Sequence, residues 1–218
     1  RENRGLIASL NQLIEKARAP VIARMDDDDI SLPTRFEQQI AFLDANPDYG
    51  VVGSWTYDID ENGAPYPVDG PDHPIDHNAF LSTIENGGQL LCHPVAMMRR
   101  DVVLAAGGYH AAFRHCEDFD LWLRLANMTK LCSIPERLML YRHYLGQVSN
   151  HHAVEQQTGT AIARLAYRKR VAGVADPTMA LTRLPPIEEL DTLFEHPGAS
   201  REVRGVVARG LLYSRIGM

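Results

Sequence analysis

The sequence has few cysteines, no excess of basic residues and no long apolar run, and each shortage excludes a class of protein. Its three cysteines, Cys92, Cys116 and Cys132, are an odd number without CxxC spacing, which favours buried free thiols over disulfides or a zinc site. A formal net charge of -6 argues against general nucleic-acid binding. No apolar run approaches the length of a membrane-spanning helix and no signal peptide is evident, so a cytosolic location is expected.

Four consecutive carboxylates, Asp26 to Asp29, are the most informative feature of the sequence. They follow Pro20–Met25, in which Val21, Ile22 and Met25 predict a short buried strand. Carboxylates crowded after a strand repel one another, and Mg²⁺ or Mn²⁺ relieves that repulsion because hard ions bind carboxylate oxygens. Ligands of open α/β sheets bind at the carboxyl ends of strands. A metal-bridged phosphate site is therefore predicted, with a solvated turn capping the next helix as the alternative.

Apolar periodicity predicts helices and strands in alternation, followed by helices alone. Phe36, Ile40 and Leu43 are expected to face the core from one helix, and residues 64–78 are expected to form a loop with acceptor contacts. The predicted helices are 4–18, a helix between Ser31-Leu-Pro-Thr34 and Asn46-Pro47, 101–106, 117–126, 153–171, 187–195 and 199–214. The predicted strands after the first are 50–59, 90–98 and 131–141.

The segment from Ala23 to Gln39 resembles the DXD segment of family 2 glycosyltransferases of the GT-A fold. Further family-like segments follow in the family's order and spacing over about the first two thirds of the chain. No comparable segment follows position 170. The further segments are Phe42 to Ser54, His93 to Arg100, Gly107-Gly-Tyr109, Glu117 to Leu125, Tyr141-Arg142 and Gln147-Val-Ser149.

The resemblance implies an α/β fold with a GT-A-like mixed sheet flanked by helices, as in nucleotide-diphospho-sugar transferases. Residues 1–150 are expected to form the GT-A domain and 151–218 a helical C-terminal region. In the family, a segment like Arg1–Asn11 follows the base-binding half of the nucleotide domain. The motifs of that half do not occur here, so the expectation is an N-terminally truncated domain that lacks its first strands.

The resemblance also implies a site for the donor diphosphate and a metal at the acidic segment. Asp26 would lie toward the ribose and Asp28 would ligate Mn²⁺ or Mg²⁺, so both are candidate metal residues. A metal is needed because the departing nucleoside diphosphate develops negative charge. Asp27 is expected to point outward. Asp29 would position the turn or contact the sugar, and helix capping is the alternative.

The Glu117-Asp118 pair opens a predicted helix and matches the family's motif for the general base. Asp118 would remove the proton of the acceptor hydroxyl, and Glu117 would bind the acceptor or orient Asp118. Simple capping of the helix is the alternative. His93 and Trp122 are expected acceptor contacts, although a lone histidine in an apolar segment is more often a hydrogen-bonded core residue.

Arg142 and His143 are the remaining candidate donor contacts. Relatives often have Tyr-Arg-x-His here, with the histidine near the metal or diphosphate, whereas in this chain that position is Tyr144. Either a local shift brings His143 to the site or the metal lacks this ligand. Arg142 would neutralise phosphate in both cases. A basic surface turn is the alternative for this cluster.

The expected function is metal-dependent, inverting transfer of a sugar from a UDP, GDP or dTDP donor to a glycan or lipid-linked acceptor. The family implies a role in cell-surface polysaccharide or glycan biosynthesis. Alternatives are a DxD-type phosphatase-like hydrolase and a binding fragment without catalysis. Arg168-Lys-Arg170 either complements a helix C-terminus or contacts anionic lipid at the inner face of the membrane. Nothing in the sequence fixes the oligomeric state.

Overall fold

A five-stranded mixed sheet forms the centre of the fold in this computed structural model, which describes residues 3–67, 70–144, 146–147 and 152–216. The strands stand in the order β1-β4-β3-β5-β2, with β3 and β5 parallel and every other neighbouring pair antiparallel. The sheet and its flanking helices confirm the predicted α/β class. The strands are β1 Val21–Ala23, β2 Ile30–Ser31, β3 Tyr49–Ile59, β4 Met97–Arg99 and β5 Lys130–Arg142.

The long parallel pair β3 and β5 carries the core of the sheet. Its pairing runs from Tyr49 opposite Lys130 to Ile59 opposite Arg142. Val51, Val52 and Leu131 are fully buried in this pair, as expected for β-branched and aliphatic residues in a central strand. The strands predicted at 50–59 and 131–141 are therefore confirmed to within one residue at each end.

Helices cover most of the remaining described chain, and most of them match the predicted segments. The strand predicted at 90–98 is wrong in part, because His93–Val95 forms a 3-10 turn and only Met97–Arg99 pairs in the sheet. The helix α3 was not predicted; Asp76 caps it by accepting a hydrogen bond from the Ala79 N–H at 2.8 Å. The helices are α1 Leu6–Lys16, α2 Arg35–Ala45, α3 His77–Asn86, α4 Arg100–Ala105, α5 Glu117–Leu125, α6 Ala153–Val171, α7 Leu190–Leu193 and α8 Ala199–Ile216, with a second 3-10 turn at Ile187–Glu189.

Helix α2 buries a different face from the predicted one. Phe36 and Ile40 are 48% and 45% exposed, whereas Arg35 and Gln39 are fully buried together with Leu43. Both polar side chains bond within the fold: Arg35 Nη2 donates to the Arg24 carbonyl at 2.6 Å, and Gln39 Nε2 donates to the Val95 carbonyl at 2.7 Å. Buried polar groups are tolerated when they are hydrogen-bonded, so only Leu43 was predicted correctly.

Strand β1 is less buried than its apolar sequence predicts. Val21 and Ile22 are half-buried, and Met25 lies beyond the strand and is exposed. The reason is position, because β1 stands at one edge of the sheet and pairs only with β4. The acidic segment thus follows an edge strand.

The chain divides into two compact units. The sheet unit comprises Gln12–Gly108 and Arg124–Leu145 and contains all five strands, whereas the helical unit comprises Arg1–Asn11, Tyr109–Leu123 and Gly146–Met218. Both units include residues before position 150, so their compactness does not test the predicted domains 1–150 and 151–218, which stay a prediction. None of the described helices has both the length and the apolar character needed to cross a membrane.

A glycine in α6 permits close packing inside the helical unit. A Cβ atom added at Gly159 would lie 2.2 Å from the Cys116 Sγ atom. Cys116 is buried, and burial raises the pKa of its thiol, with the nearby Asp118, Glu117 and Asp120 adding to the rise. The thiol is therefore protonated and packs as a small apolar group.

We expect Gly159→Ala to destabilise the chain by about 1–3 kcal/mol, because the added methyl group overpacks the contact with Cys116. The control is Gly205→Ala in α8, where an added Cβ meets only the end of Arg209 at 3.5 Å. That change should be neutral or stabilise by up to about 1 kcal/mol, since alanine favours helix. Chemical denaturation gives the free energy of unfolding.

Cys116→Ala provides a second check on the same contact. In the Cys116→Ala background the sulfur is absent, so Gly159→Ala should lower the free energy of unfolding markedly less than it does in the wild-type background. An equal cost in both backgrounds would show that Cys116 does not set the limit at Gly159.

Candidate functional site

The acidic turn, Asp26 to Asp29, joins the two outermost strands of the sheet. It leaves β1 at one edge and enters β2 at the other. Exposure alternates at first and then falls: Asp27 is exposed, Asp26 and Asp28 are half-buried, and Asp29 is buried. The four carboxylates therefore occupy different environments, and Asp27 is the one that faces solvent, as expected.

Asp26 is paired within the turn itself. The Arg24 guanidinium donates to the Asp26 carboxylate and also to the Met25 carbonyl. The backbone N–H of Arg24 in turn donates to the Ala96 carbonyl at 2.8 Å. The start of the turn is thus attached to the segment that leads into β4.

Asp29 fixes the end of the turn to β5. Its Oδ1 atom accepts a hydrogen bond from the backbone N–H of Arg142 at 2.9 Å, while its buried Oδ2 atom has no hydrogen-bond partner among the described residues. Helix α2 begins after Thr34, so Asp29 does not cap it. Of the sequence-based interpretations, the arrangement favours positioning of the turn.

Burial raises the pKa of Asp29 from 3.8 to about 6. The negative charges of Asp28 and Asp26 raise it further, whereas the Arg142 N–H and the Arg24 charge lower it. A cation bound at the turn would act in the same direction as Arg24, since a nearby positive charge favours the ionised carboxylate.

Arg142 uses its side chain to hold the turn against the end of β3. Its Nε atom donates to the Asp28 carbonyl at 2.8 Å, and its Nη1 atom donates to the carbonyls of Asp60 and Glu61 at 3.0 and 3.1 Å. The guanidinium therefore joins three chain segments. Its predicted contact with phosphate stays a prediction.

His143 is paired with a residue of β3. Its Nε2 atom lies 3.1 Å from the Asp58 Oδ2 atom, and its ring makes edge contacts with Tyr66 and Tyr141 at 5.3 and 4.9 Å between ring centroids. Sequence reasoning missed Asp58, because its partner lies far away in the chain. The predicted donor contact of His143 stays a prediction.

Tyr144, at the position where relatives carry histidine, interacts with Asp28. The negative charge of Asp28 and a hydrogen bond between the two side chains raise the pKa of Tyr144, to which Asp27 and Asp26 also contribute. Tyr144 is itself exposed. The side chain at this position thus meets the predicted metal ligand, although it is a phenol and not an imidazole.

A buried arginine supports the turn from α2. Arg35 donates to the Arg24 carbonyl at 2.6 Å and to Gln39 Oε1 at 3.1 Å. Burial lowers the pKa of Arg35 to about 10, with the negative charge of Asp29 opposing the shift, so the guanidinium stays charged at neutral pH. Arg35 lies within the segment from Ala23 to Gln39 that resembles the family, but no role was predicted for it.

His93 begins the 3-10 turn before β4 and is half-buried. Burial lowers its pKa to about 3, and the positive charge of Arg24 lowers it further. The imidazole is therefore neutral at neutral pH and can serve as a hydrogen-bond partner but not as a cation. Its acceptor contact stays a prediction.

The remaining predicted residues lie on α5. Glu117 is buried and Asp118 is half-buried in the first turn, and Trp122 is almost fully buried farther along the helix. Such burial is typical of a core tryptophan. The catalytic roles of Glu117 and Asp118 and the acceptor contact of Trp122 stay predictions.

Comparison with known proteins shows which family the chain resembles. Residues 1–105 match the family model of Glycosyl transferase family 2. The chain therefore resembles glycosyltransferases of family 2 over these residues. The GT-A-like sheet expected from the sequence agrees with this resemblance.

Three curated relatives show how much of the chain is similar to known glycosyltransferases. The amylovoran biosynthesis glycosyltransferase AmsE of Erwinia amylovora is 29% identical over 201 residues, which is 89% of this chain and 74% of that protein. The O-antigen biosynthesis glycosyltransferase WbnJ of Escherichia coli is 37% identical over 124 residues, 55% of this chain and 44% of that protein.

A third relative is the UDP-Gal:alpha-D-GlcNAc-diphosphoundecaprenol beta-1,3-galactosyltransferase of Escherichia coli. It is 28% identical over 127 residues, which is 58% of this chain and 45% of that protein. The matched part of this chain thus spans less than half of two of these three relatives.

The raised pKa of Asp29 predicts how stability depends on pH in the absence of divalent metal. A carboxyl with a folded-state pKa above its unfolded value stabilises the fold below pH 3.8, and this contribution is lost as the pH rises to about 6. We therefore expect Asp29→Asn to stabilise the chain, relative to wild type, at neutral pH more than at acidic pH. Denaturant unfolding on both sides of the window measures the difference.

Asp27→Asn is the matched control, because Asp27 is exposed. It should change the pH dependence of unfolding little. If the two variants shift the free energy of unfolding equally at both pH values, burial of Asp29 does not control this titration.

Proposed function

We propose that the chain transfers a sugar from a nucleotide-sugar donor to a hydroxyl group of a glycan or lipid-linked acceptor, with a divalent metal and inversion at the anomeric carbon. The observation that carries the proposal is the acidic turn. Asp26 and Asp28 are partly open to solvent there, while Asp29 and Arg142 hold the backbone of the turn in place. A pre-positioned set of carboxylates suits a cation that bridges to phosphate.

The residues of the turn fit Mn²⁺ or Mg²⁺ by their chemistry. Carboxylate oxygens are the preferred ligands of both ions, and the buried Oδ2 atom of Asp29 has no hydrogen-bond partner among the described residues. Asp28 is the proposed ligand, and Asp26 is proposed to face the ribose and diphosphate. When bound, the ion supplies Lewis-acid stabilisation for the departing nucleoside diphosphate.

The positive side chains around the turn reduce the electrostatic repulsion among these carboxylates. Arg24 pairs with Asp26, and the buried Arg35 guanidinium lies beneath the Arg24 backbone. We propose that Arg142 and His143 face the donor side of the turn, where their positive or polar groups would balance phosphate charge.

The acceptor chemistry is assigned to the start of α5. Asp118 is proposed to remove the proton of the acceptor hydroxyl, with Glu117 orienting it. The helix dipole stabilises carboxylates in this first turn, and Asp118 is more exposed than the buried Glu117. His93 and Trp122 are proposed acceptor contacts in the same reaction.

The relatives support a role in cell-surface polysaccharide or glycan biosynthesis. AmsE and WbnJ are described as amylovoran and O-antigen biosynthesis enzymes, and the galactosyltransferase is described with a UDP-Gal donor and a lipid diphosphate acceptor. A donor of the UDP, GDP or dTDP type and a lipid-linked acceptor are therefore part of the proposal for this chain.

A cytoplasmic location is also proposed, and the basic end of α6 gives little support for added contact with anionic lipid. Arg168 pairs with Glu202 at 2.5 Å, and Arg170 pairs with Asp176. These acidic partners neutralise charge that a membrane surface would otherwise attract.

We expect Mn²⁺-dependent nucleotide binding that Asp28→Ala abolishes. Calorimetry with UDP, GDP and dTDP, each with and without Mn²⁺, would show which nucleotide binds. Asp27→Ala is the matched control, because it removes a neighbouring carboxylate that faces solvent, and it should leave most of the affinity intact.

Equal losses in the Asp27 and Asp28 variants would contradict the assignment of Asp28. Metal-dependent cleavage of a simple phosphate ester, with no nucleotide preference, would instead favour the phosphatase-like alternative. Nucleotide binding without sugar transfer would favour the binding-fragment alternative.

We further expect Tyr144→His to strengthen Mn²⁺ binding, because it replaces the phenol that contacts Asp28 with an imidazole that can ligate the ion. Tyr144→Phe is the control, since it removes the hydroxyl without adding a ligand. Electron paramagnetic resonance of free Mn²⁺ measures both affinities. A Tyr144→His variant that binds Mn²⁺ no better than Tyr144→Phe would place this side chain away from the ion.

A further inference from the structure

Two histidines and a glutamate converge in the helical unit, and the proposed transfer reaction uses none of them. His115 lies just before α5, and His152 and Glu155 lie at the start of α6. Their candidate ligand atoms all lie within 4.8 Å of one another. Two segments of the chain that are well separated in sequence thus supply metal-binding groups to one point.

One carboxylate oxygen faces both imidazoles. The Glu155 Oε2 atom lies 2.7 Å from His152 Nδ1 and 3.5 Å from His115 Nε2. The two rings are stacked, with 3.9 Å between their centroids and 9° between their planes. Two nitrogen donors and one oxygen donor are therefore brought together by contacts the protein already makes.

The stacked rings of His115 and His152 are poorly arranged for a site in which both histidines form ion pairs. Two charged imidazolium rings at this separation would repel each other. Burial and the neighbouring His152 both lower the pKa of His115, with Arg114 acting in the same direction and Glu155 opposing it. Neutral imidazole is the form that binds metal ions.

The backbone of His115 supports a specific use of its side chain. Its φ angle is 69°, in the left-handed region that non-glycine residues rarely adopt. The chain holds this conformation where a glycine would be easier to accommodate, and the imidazole is thereby placed beside His152. Unusual conformations of this kind concentrate at functional sites.

We propose that His115, His152 and Glu155 form a second metal site, which binds a borderline transition-metal ion of the Zn²⁺ class. Imidazole nitrogen together with carboxylate oxygen is a donor set for Zn²⁺, whereas Mg²⁺ prefers oxygen alone. The side chains of His115, His152 and Glu155 are 15%, 38% and 63% exposed. Glu155 thus opens to solvent, and water or a second ligand completes the coordination.

Metal binding at this site would join the segment before α5 to the start of α6. His115 precedes Glu117 by two residues in the chain, so the ion would restrain the backbone that leads into the proposed acceptor motif. Because the unfolded chain does not hold the three ligands together, binding would also stabilise the fold.

The test is calorimetry of Zn²⁺ binding to the full chain in excess Mg²⁺. The Asp28→Ala background removes the proposed ligand of the acidic turn, so the heat reports the second site. We expect one Zn²⁺ to bind, and His115→Ala and His152→Ala to weaken binding by more than the roughly 10-fold to 100-fold cost of losing a supporting partner. His196→Ala is the matched control, because His196 is exposed in the same unit, and it should bind like the background.

Two further measurements distinguish loss of the metal site from loss of folding. Glu155→Gln changes an exposed side chain that should not affect folding, and it should also weaken Zn²⁺ binding. Zn²⁺ should raise the unfolding temperature of the background chain and of the His196 variant, but much less that of the His115 and His152 variants.

Two results would overturn the proposal. One is the absence of Zn²⁺ binding by the folded background chain. The other is equal Zn²⁺ affinity in the cluster variants and in His196→Ala, which would place the ion elsewhere. Neither result bears on nucleotide binding at the acidic turn, so the proposed transfer reaction would stand or fall by its own experiment.

Discussion

The attachment of the acidic turn to Arg142 is the interaction on which the proposed donor site depends. Neighbouring carboxylates repel one another, so the turn needs fixed hydrogen bonds to keep its shape. Arg142 supplies them twice, through its N–H to Asp29 and its Nε to the Asp28 carbonyl. Its Nη1 atom also holds the carbonyls that follow β3. A lysine could not reproduce this planar set of donors.

Two arginines also compensate part of the negative charge of the turn. Arg24 neutralises Asp26 directly, and Arg35 places a buried guanidinium under the same segment. Arg35 is tolerated there because the Arg24 carbonyl and Gln39 accept its hydrogen bonds. The protein thus partly balances the charge of the turn itself, and Asp28 remains as the proposed ligand of a cation.

A structural feature could be predicted from the sequence when the contacts that determine it join residues close together in the chain. Strands β3 and β5 were predicted closely, because runs of aliphatic and β-branched residues reflect burial directly. The buried face of α2 was predicted wrongly, because Arg35 and Gln39 find their acceptors in distant segments that periodicity cannot show.

The same limit applies to the site. Its acidic residues and Arg142 were proposed from the sequence, but the Asp58–His143 and Asp28–Tyr144 contacts required the fold. The parallel pairing of β3 with β5 also bears on how the chain folds. Residues near 51 pair with residues near 131, so this ladder closes only after the intervening helices have been synthesised. Such non-local pairing slows folding, and β3 is synthesised before both of its neighbours in the sheet, β4 and β5.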